Sequence, residues 1–120
     1  MIMDSQTNQL YLADCLATKY PKFYREFEKV LGRCNIKPKF LTPTKDIWAV
    51  DFMPIQVTKD KFIQFKYSPD YLSEYRDLIS DADKICEAIN LKPKKSELVI
   101  DVGNVVLHQD TVFCCVKSFN

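Results

Sequence analysis

A chain of 120 residues, 47% of them hydrophobic, is long enough for one domain spanning residues 1–120 with a core of its own. Seventeen Lys and Arg against sixteen Asp and Glu leave a net charge of +1, which excludes electrostatic capture of nucleic acid or of an anionic membrane. The apolar runs are too short for a transmembrane helix, and Met1 to Gln9 has neither the basic start nor the apolar centre of a signal peptide, so a cytoplasmic protein is expected.

After a polar start, Gln9 to Ala13 reads as a first strand, with Leu10 and Leu12 on one face and Tyr11 and Ala13 on the other. Pro21 suits a first helical turn, and Phe23, Phe27, Val30, Leu31 and Cys34 then form one apolar stripe, predicting a helix with that face packed on a sheet. Gly32 and Asn35 lie near its end, and Pro38 forbids its continuation. Lys39 to Leu41 is a short strand and Thr42-Pro43-Thr44 a turn. Ile47 to Val50 is an apolar run of strand-forming residues that places Asp51 at the end of a buried strand with Trp48 in the core, while Pro54 discourages helix through Met53.

Ile55 to Val57 and Phe62 to Tyr67 flank the charged turn Lys59-Asp60-Lys61 and predict a hairpin. Ser68 to Leu78 has no clean period and reads as an irregular, partly helical loop. A second helix is expected from Asp81 to Asn90, capped by Ser80, with Ala82, Ile85, Cys86 and Ile89 as its apolar stripe. Leu98 to Asp101, Val105 to His108 and Thr111 to Val116 are three short strands, the last two joined by Gln109-Asp110. This order predicts an α+β fold with mixed sheets, two main helices and rough self-repetition of one supersecondary unit.

Cys15, Cys34, Cys86, Cys114 and Cys115 form no C-x-x-C pair, and one histidine is available, so no metal site is expected. Reduced thiols serving as small buried apolar residues account for them, with Cys114 and Cys115 on opposite faces of a strand. Asp51 needs a partner, because burying an unpaired carboxylate costs several kcal/mol or shifts its pKa. Asp101, in the acidic turn Asp101-Val102-Gly103-Asn104, ends the other apolar strand, so the two acids can converge on one cation. The structural alternatives are that Asp46 is a turn or cap acid and that the Asp101 carboxylate braces its own turn.

Asp46-Ile47-Trp48-Ala49-Val50-Asp51-Phe52-Met53-Pro54 resembles the D-x-W-x-R-D-x-x-P segment of agmatine deiminases and bacterial peptidylarginine deiminase-like proteins, and Ile100-Asp101-Val102-Gly103-Asn104 resembles their [ED]-G-G-N turn. The similarity runs from about Leu10 to the last residue. It implies a partial pentein (α/β-propeller) fold of about two β-β-α-β units, and the front part of such an enzyme. Asp51 is then a guanidinium-gripping carboxylate, with Trp48, Asp101 and Asn104 as further vestigial substrate-binding residues. The family's G-H-x-D histidine and C-terminal nucleophilic cysteine lie beyond the matched region. His108, Cys114 and Cys115 do not match those motifs, so no catalytic residue and no cofactor are expected.

Val50 stands where the family has Arg and Val102 where it has the first Gly, two changes that keep the fold while removing site chemistry. The expectation is a catalytically inactive protein-binding module, immunity- or antitoxin-like or regulatory, whose partner is another protein or a second copy. The alternative is a guanidine-hydrolysing fragment or subunit that receives its His and Cys from elsewhere.

Overall fold

The computed structural model describes residues 1–115. Its strands are β1 (Tyr11–Ala13), β2 (Lys39–Leu41), β3 (Ile55–Thr58), β4 (Lys61–Lys66), β5 (Lys94–Val99), β6 (Val105–His108) and β7 (Thr111–Cys114), and its α-helices are α1 (Leu16–Lys19), α2 (Pro21–Arg33), α3 (Ala49–Phe52) and α4 (Ala82–Ala88). Single 3-10 turns cover Asp4–Gln6, Asp70–Leu72, Arg76–Leu78 and Val102–Asn104. The fold is α+β with mixed sheets. Val116, expected to extend the last strand, lies outside the described residues.

Two β-α-β crossovers make up most of the chain. β1 pairs in parallel with β2 across α2, and β4 pairs in parallel with β5 across α4, while β3 adds an antiparallel strand to β4. Both crossovers turn in the same way. Asn35 and Asn90 take left-handed backbone conformations with φ of 55° and 56°. In each case the Asn N–H bonds back to the carbonyl three residues earlier, and the next N–H to the carbonyl five residues earlier: Asn35 to Gly32 and Ile36 to Leu31, Asn90 to Glu87 and Leu91 to Cys86. This is the Schellman end of a helix, in which a left-handed residue lets the final carbonyls be satisfied. The residues that make it are Asn35-Ile36-Lys37-Pro38-Lys39 and Asn90-Leu91-Lys92-Pro93-Lys94, an Asn-aliphatic-Lys-Pro-Lys phrase whose last Lys opens the parallel strand each time.

The core sits where the two units meet. Leu41 from β2, Phe52 from α3 and Ile85 from α4 are buried against one another, with Tyr67 and Met53 packed around them. Asp14 at the end of β1 accepts hydrogen bonds from the Thr44 N–H, at 3.0 Å, and from the Thr44 hydroxyl, tying the first unit to the loop that leads into α3.

Several expectations are corrected. Residues 47–50 form no strand: the Asp51 N–H bonds to the Trp48 carbonyl at 3.0 Å and the Met53 N–H to the Ala49 carbonyl at 3.0 Å, so a single helical turn satisfies the backbone locally. Met53 is extended, as a residue before proline must be. Trp48 is 56% exposed rather than core. Ser80 does not cap α4. The Asp81 carboxylate does, accepting from the Asp83 and Lys84 N–H groups at 3.1 and 3.2 Å, whereas the buried Ser80 hydroxyl accepts from Lys45 N–H at 2.9 Å.

The third strand of the second unit begins at Lys94, four residues earlier than expected. The thiols are not uniformly buried, since only Cys86 is, while Cys34 and Cys115 are exposed. The apolar stripe of α2 is also only partly covered. Leu31 is buried and Phe27 half-buried, but Phe23 and Val30 face solvent, because the two-stranded β1–β2 sheet is too narrow to cover the whole stripe.

Candidate functional site

α3 carries Asp51, and the 3-10 turn Val102–Asn104 packs directly against α3. Phe52, buried beside Leu41 and Ile85, anchors α3, and its ring meets Tyr67 at a centroid distance of 5.9 Å. The neighbouring Asp51 is thereby held half-buried with its carboxylate toward the turn, where it accepts the Gly103 N–H. The two motifs singled out in the sequence therefore meet in space, through Asp51 and Gly103.

Gly103 leaves room for this contact. Its backbone φ is not in the left-handed region, so glycine is needed for space: a Cβ there would overlap Asp51 Oδ1 and stand 3.3 Å from Asp51 Cγ. Val102 is tolerated for the same reason. Its position needs neither a positive φ nor a close approach, and its side chain is buried. The turn keeps its fold with valine at 102, and the close approach falls one residue later, at Gly103.

The electrostatics around Asp51 are one-sided. Burial pushes its carboxyl above the ordinary aspartate range, and the charge of Asp46 pushes the same way, against the Gly103 N–H that favours the ionised form. Tyr67 reports the same field: burial raises its hydroxyl far above the usual phenol range, the Tyr71 hydroxyl at 2.9 Å adds to this, and the charges of Asp51 and Asp101 push it further. The charges of Asp51 and Asp101 both bear on this one phenol, so Tyr67 joins the candidate site although nothing in its sequence context marks it. Among the described residues no Lys, Arg or His is ion-paired with Asp51.

The other expected members stand differently. Trp48 is exposed on the turn before Asp51, and Asn104 is exposed, its N–H closing the turn on the Asp101 carbonyl at 2.9 Å. That main-chain carbonyl braces the turn, and the Asp101 carboxylate makes no capping bond to it. Asp46 accepts the N–H of Ile47 at 2.7 Å, the turn role foreseen for it, and also bears on Asp51. A hollow of about 430 Å³ lies alongside, lined by Val50, Met53, Val102 and Val105 and also by Asp4 and Gln56, so both valines that depart from the motifs add apolar surface to a mixed wall.

His108 and Cys115 are exposed on or beside the β6–β7 hairpin, and no described hydrogen bond joins His108, Cys114 or Cys115 to Asp51. Asp14, which helps to hold the loop before α3, was not singled out in the sequence, where a polar residue directly after a strand was the signal available, and Ser80 was singled out only as a helix cap. Among the described residues no group of three or more His, Cys, Asp or Glu is placed to hold a metal ion, and no helix is long and apolar enough to cross a membrane. Compared with protein-family models, with curated proteins and with solved structures, the chain gives no match.

Proposed function

We propose that this chain is a non-catalytic relative of the agmatine deiminase and peptidylarginine deiminase-like proteins, built on part of a pentein-like fold, that binds another protein by receiving one of its guanidinium groups. The observation that carries the reading is the Asp51 carboxylate: half-buried, seated on the Gly103 N–H, disfavoured further by the charge of Asp46, and paired with no described cation. A carboxylate held at that disadvantage gains most from a cationic ligand, and a planar guanidinium offers it paired, charge-assisted hydrogen bonds. The exposed Trp48 ring offers a face for the cation, and the hollow alongside, apolar on the side of Val50 and Val102, suits the body of a side chain or peptide. Gripping a cation is within the reach of carboxylates alone. Breaking a C–N bond also needs a nucleophile and a proton shuttle, and His108 and the nearby thiols have no described bond to Asp51. An immunity-like or regulatory role fits such a module.

Calorimetry of the full chain with agmatine, arginine and an arginine-containing peptide tests this. Heat of binding at millimolar ligand is expected, tightest for the peptide, absent in Asp51→Asn and weakened in Gly103→Ala, which pushes the carboxylate off its N–H donor. Affinity should fall as pH is lowered through the raised Asp51 pKa, because only the ionised form attracts a cation. No heat with any of the three would sink the reading, and ammonia release that Asp51→Ala abolishes would make the chain a guanidine hydrolase instead.

A further inference from the structure

We propose that α2 is a dimerisation helix, its outward stripe packing antiparallel against the same stripe of a second copy of this chain. Tyr20, Phe23, Phe27, Val30 and Cys34 recur at alternating steps of three and four, the 3.5-residue spacing of a seam between two helices. Tyr20, Phe23 and Val30 are 51%, 58% and 49% exposed, and Cys34 is exposed as well. The Phe23 and Phe27 rings stack at 5.5 Å between centroids, forming an apolar ledge along the helix. The chain's own body is met one position round the helix, where Leu31 is buried and Tyr24 lies 6.2 Å from the Phe40 ring. The stripe on the seam is therefore left over after α2 has packed on its own sheet.

Charge selects the occupant. One flank of the seam carries Glu26 and Arg33, seven residues apart and opposite in sign, and the other carries Tyr24 and Leu31. Reversing one helix lays each flank on the same flank of its mate, so an antiparallel copy sets Glu26 against Arg33 twice over. A parallel copy would set those charges against apolar side chains. The chain as a whole exposes 8894 Å², about a third more than the roughly 6,700 Å² expected of a folded monomer of its mass, so it has surface to spare for an interface. A standard interface removes only about 800 Å² from each partner. This surface shares no residue with the Asp51 site and does not rest on the function proposed above.

Sedimentation velocity of the full chain, in reducing buffer and over a wide micromolar range, tests the proposal. A concentration-dependent dimer is expected. Glu26→Arg and Arg33→Glu should each weaken it by about tenfold or more, since each sets like charges opposite one another twice. The double variant E26R/R33E, and a one-to-one mixture of the two single variants, should recover the dimer, with far-UV circular dichroism unchanged throughout. A monomer at every concentration overturns the proposal. So does a dimer indifferent to the charge reversals, or one that the mixture fails to restore.

Discussion

Asp51 is a residue placed at some cost to folding. Its carboxyl is raised above its unfolded value by burial first and by the Asp46 charge second, so the ionised form is disfavoured in the native state. The sign of the pH dependence follows. The penalty is absent below the unfolded value, near pH 3.9, and grows as pH rises through the raised folded value. Asp51→Asn keeps an oxygen that can accept the Gly103 N–H and has no charge to bury. It should therefore melt about 1 to 2 °C above the parent chain at pH 7 and no higher than it at pH 3, by differential scanning calorimetry. A variant less stable at pH 7 would show that Asp51 already has a cation on it. The motif Asp51 belongs to was visible in the sequence, but its contact with Gly103 was not, because the two residues are far apart in the chain and only packing of α3 on the 102–104 turn joins them.

At the scale of elements, the two neighbours Ser80 and Asp81 divide work that sequence reasoning assigned to Ser80 alone. Both are good capping residues, and the choice between them depends on which side chain the loop at 45–46 claims first. The Ser80 hydroxyl accepts from that loop, from Lys45 N–H at 2.9 Å, leaving Asp81 to accept the first N–H groups of α4. Asp81→Ala should cost about 1 kcal/mol and speed amide exchange at Asp83 and Lys84. Ser80→Ala should cost about 1 kcal/mol, by leaving part-buried donors without their protein acceptor, and speed exchange at Lys45 and Asp46 while α4 stays protected. Equal effects on both sets of amides would remove the distinction. The helix ends, in contrast, were open to reading from the chain. The Asn-aliphatic-Lys-Pro-Lys phrase occurs at 35–39 and at 90–94, and each time asparagine supplies the left-handed residue and proline the stop.

At the scale of the molecule, two β-α-β units share a small core, and that core is carried by few side chains. Ile85 is 0% exposed and touches both units through Leu41 and Phe52. Ile85→Ala should remove about 2–5 kcal/mol in urea unfolding, a large share of the stability of a domain this size. Phe23→Ala, on the uncovered side of α2, should change the stability of the monomer by no more than about 0.5 kcal/mol. A comparable loss from both would mean that the α2 stripe is buried within one chain.

Local physics determined the elements of this protein, so the sequence was enough for them: a helix opening at Pro21, turns stopped by Pro38 and Pro93, a hairpin about Lys59 and Asp60, and a second helix centred on Ile85. Each depends on backbone preferences and side-chain spacing within a few residues. Tertiary structure decided the rest. Residues 47–50 have strand propensity but no strand beside them to pair with, so they closed a helical turn on their own carbonyls. Which face of α2 is buried, which of two adjacent caps is used, and that Asp51 rests on Gly103 all depend on what the chain brings alongside, information that no local run of residues contains.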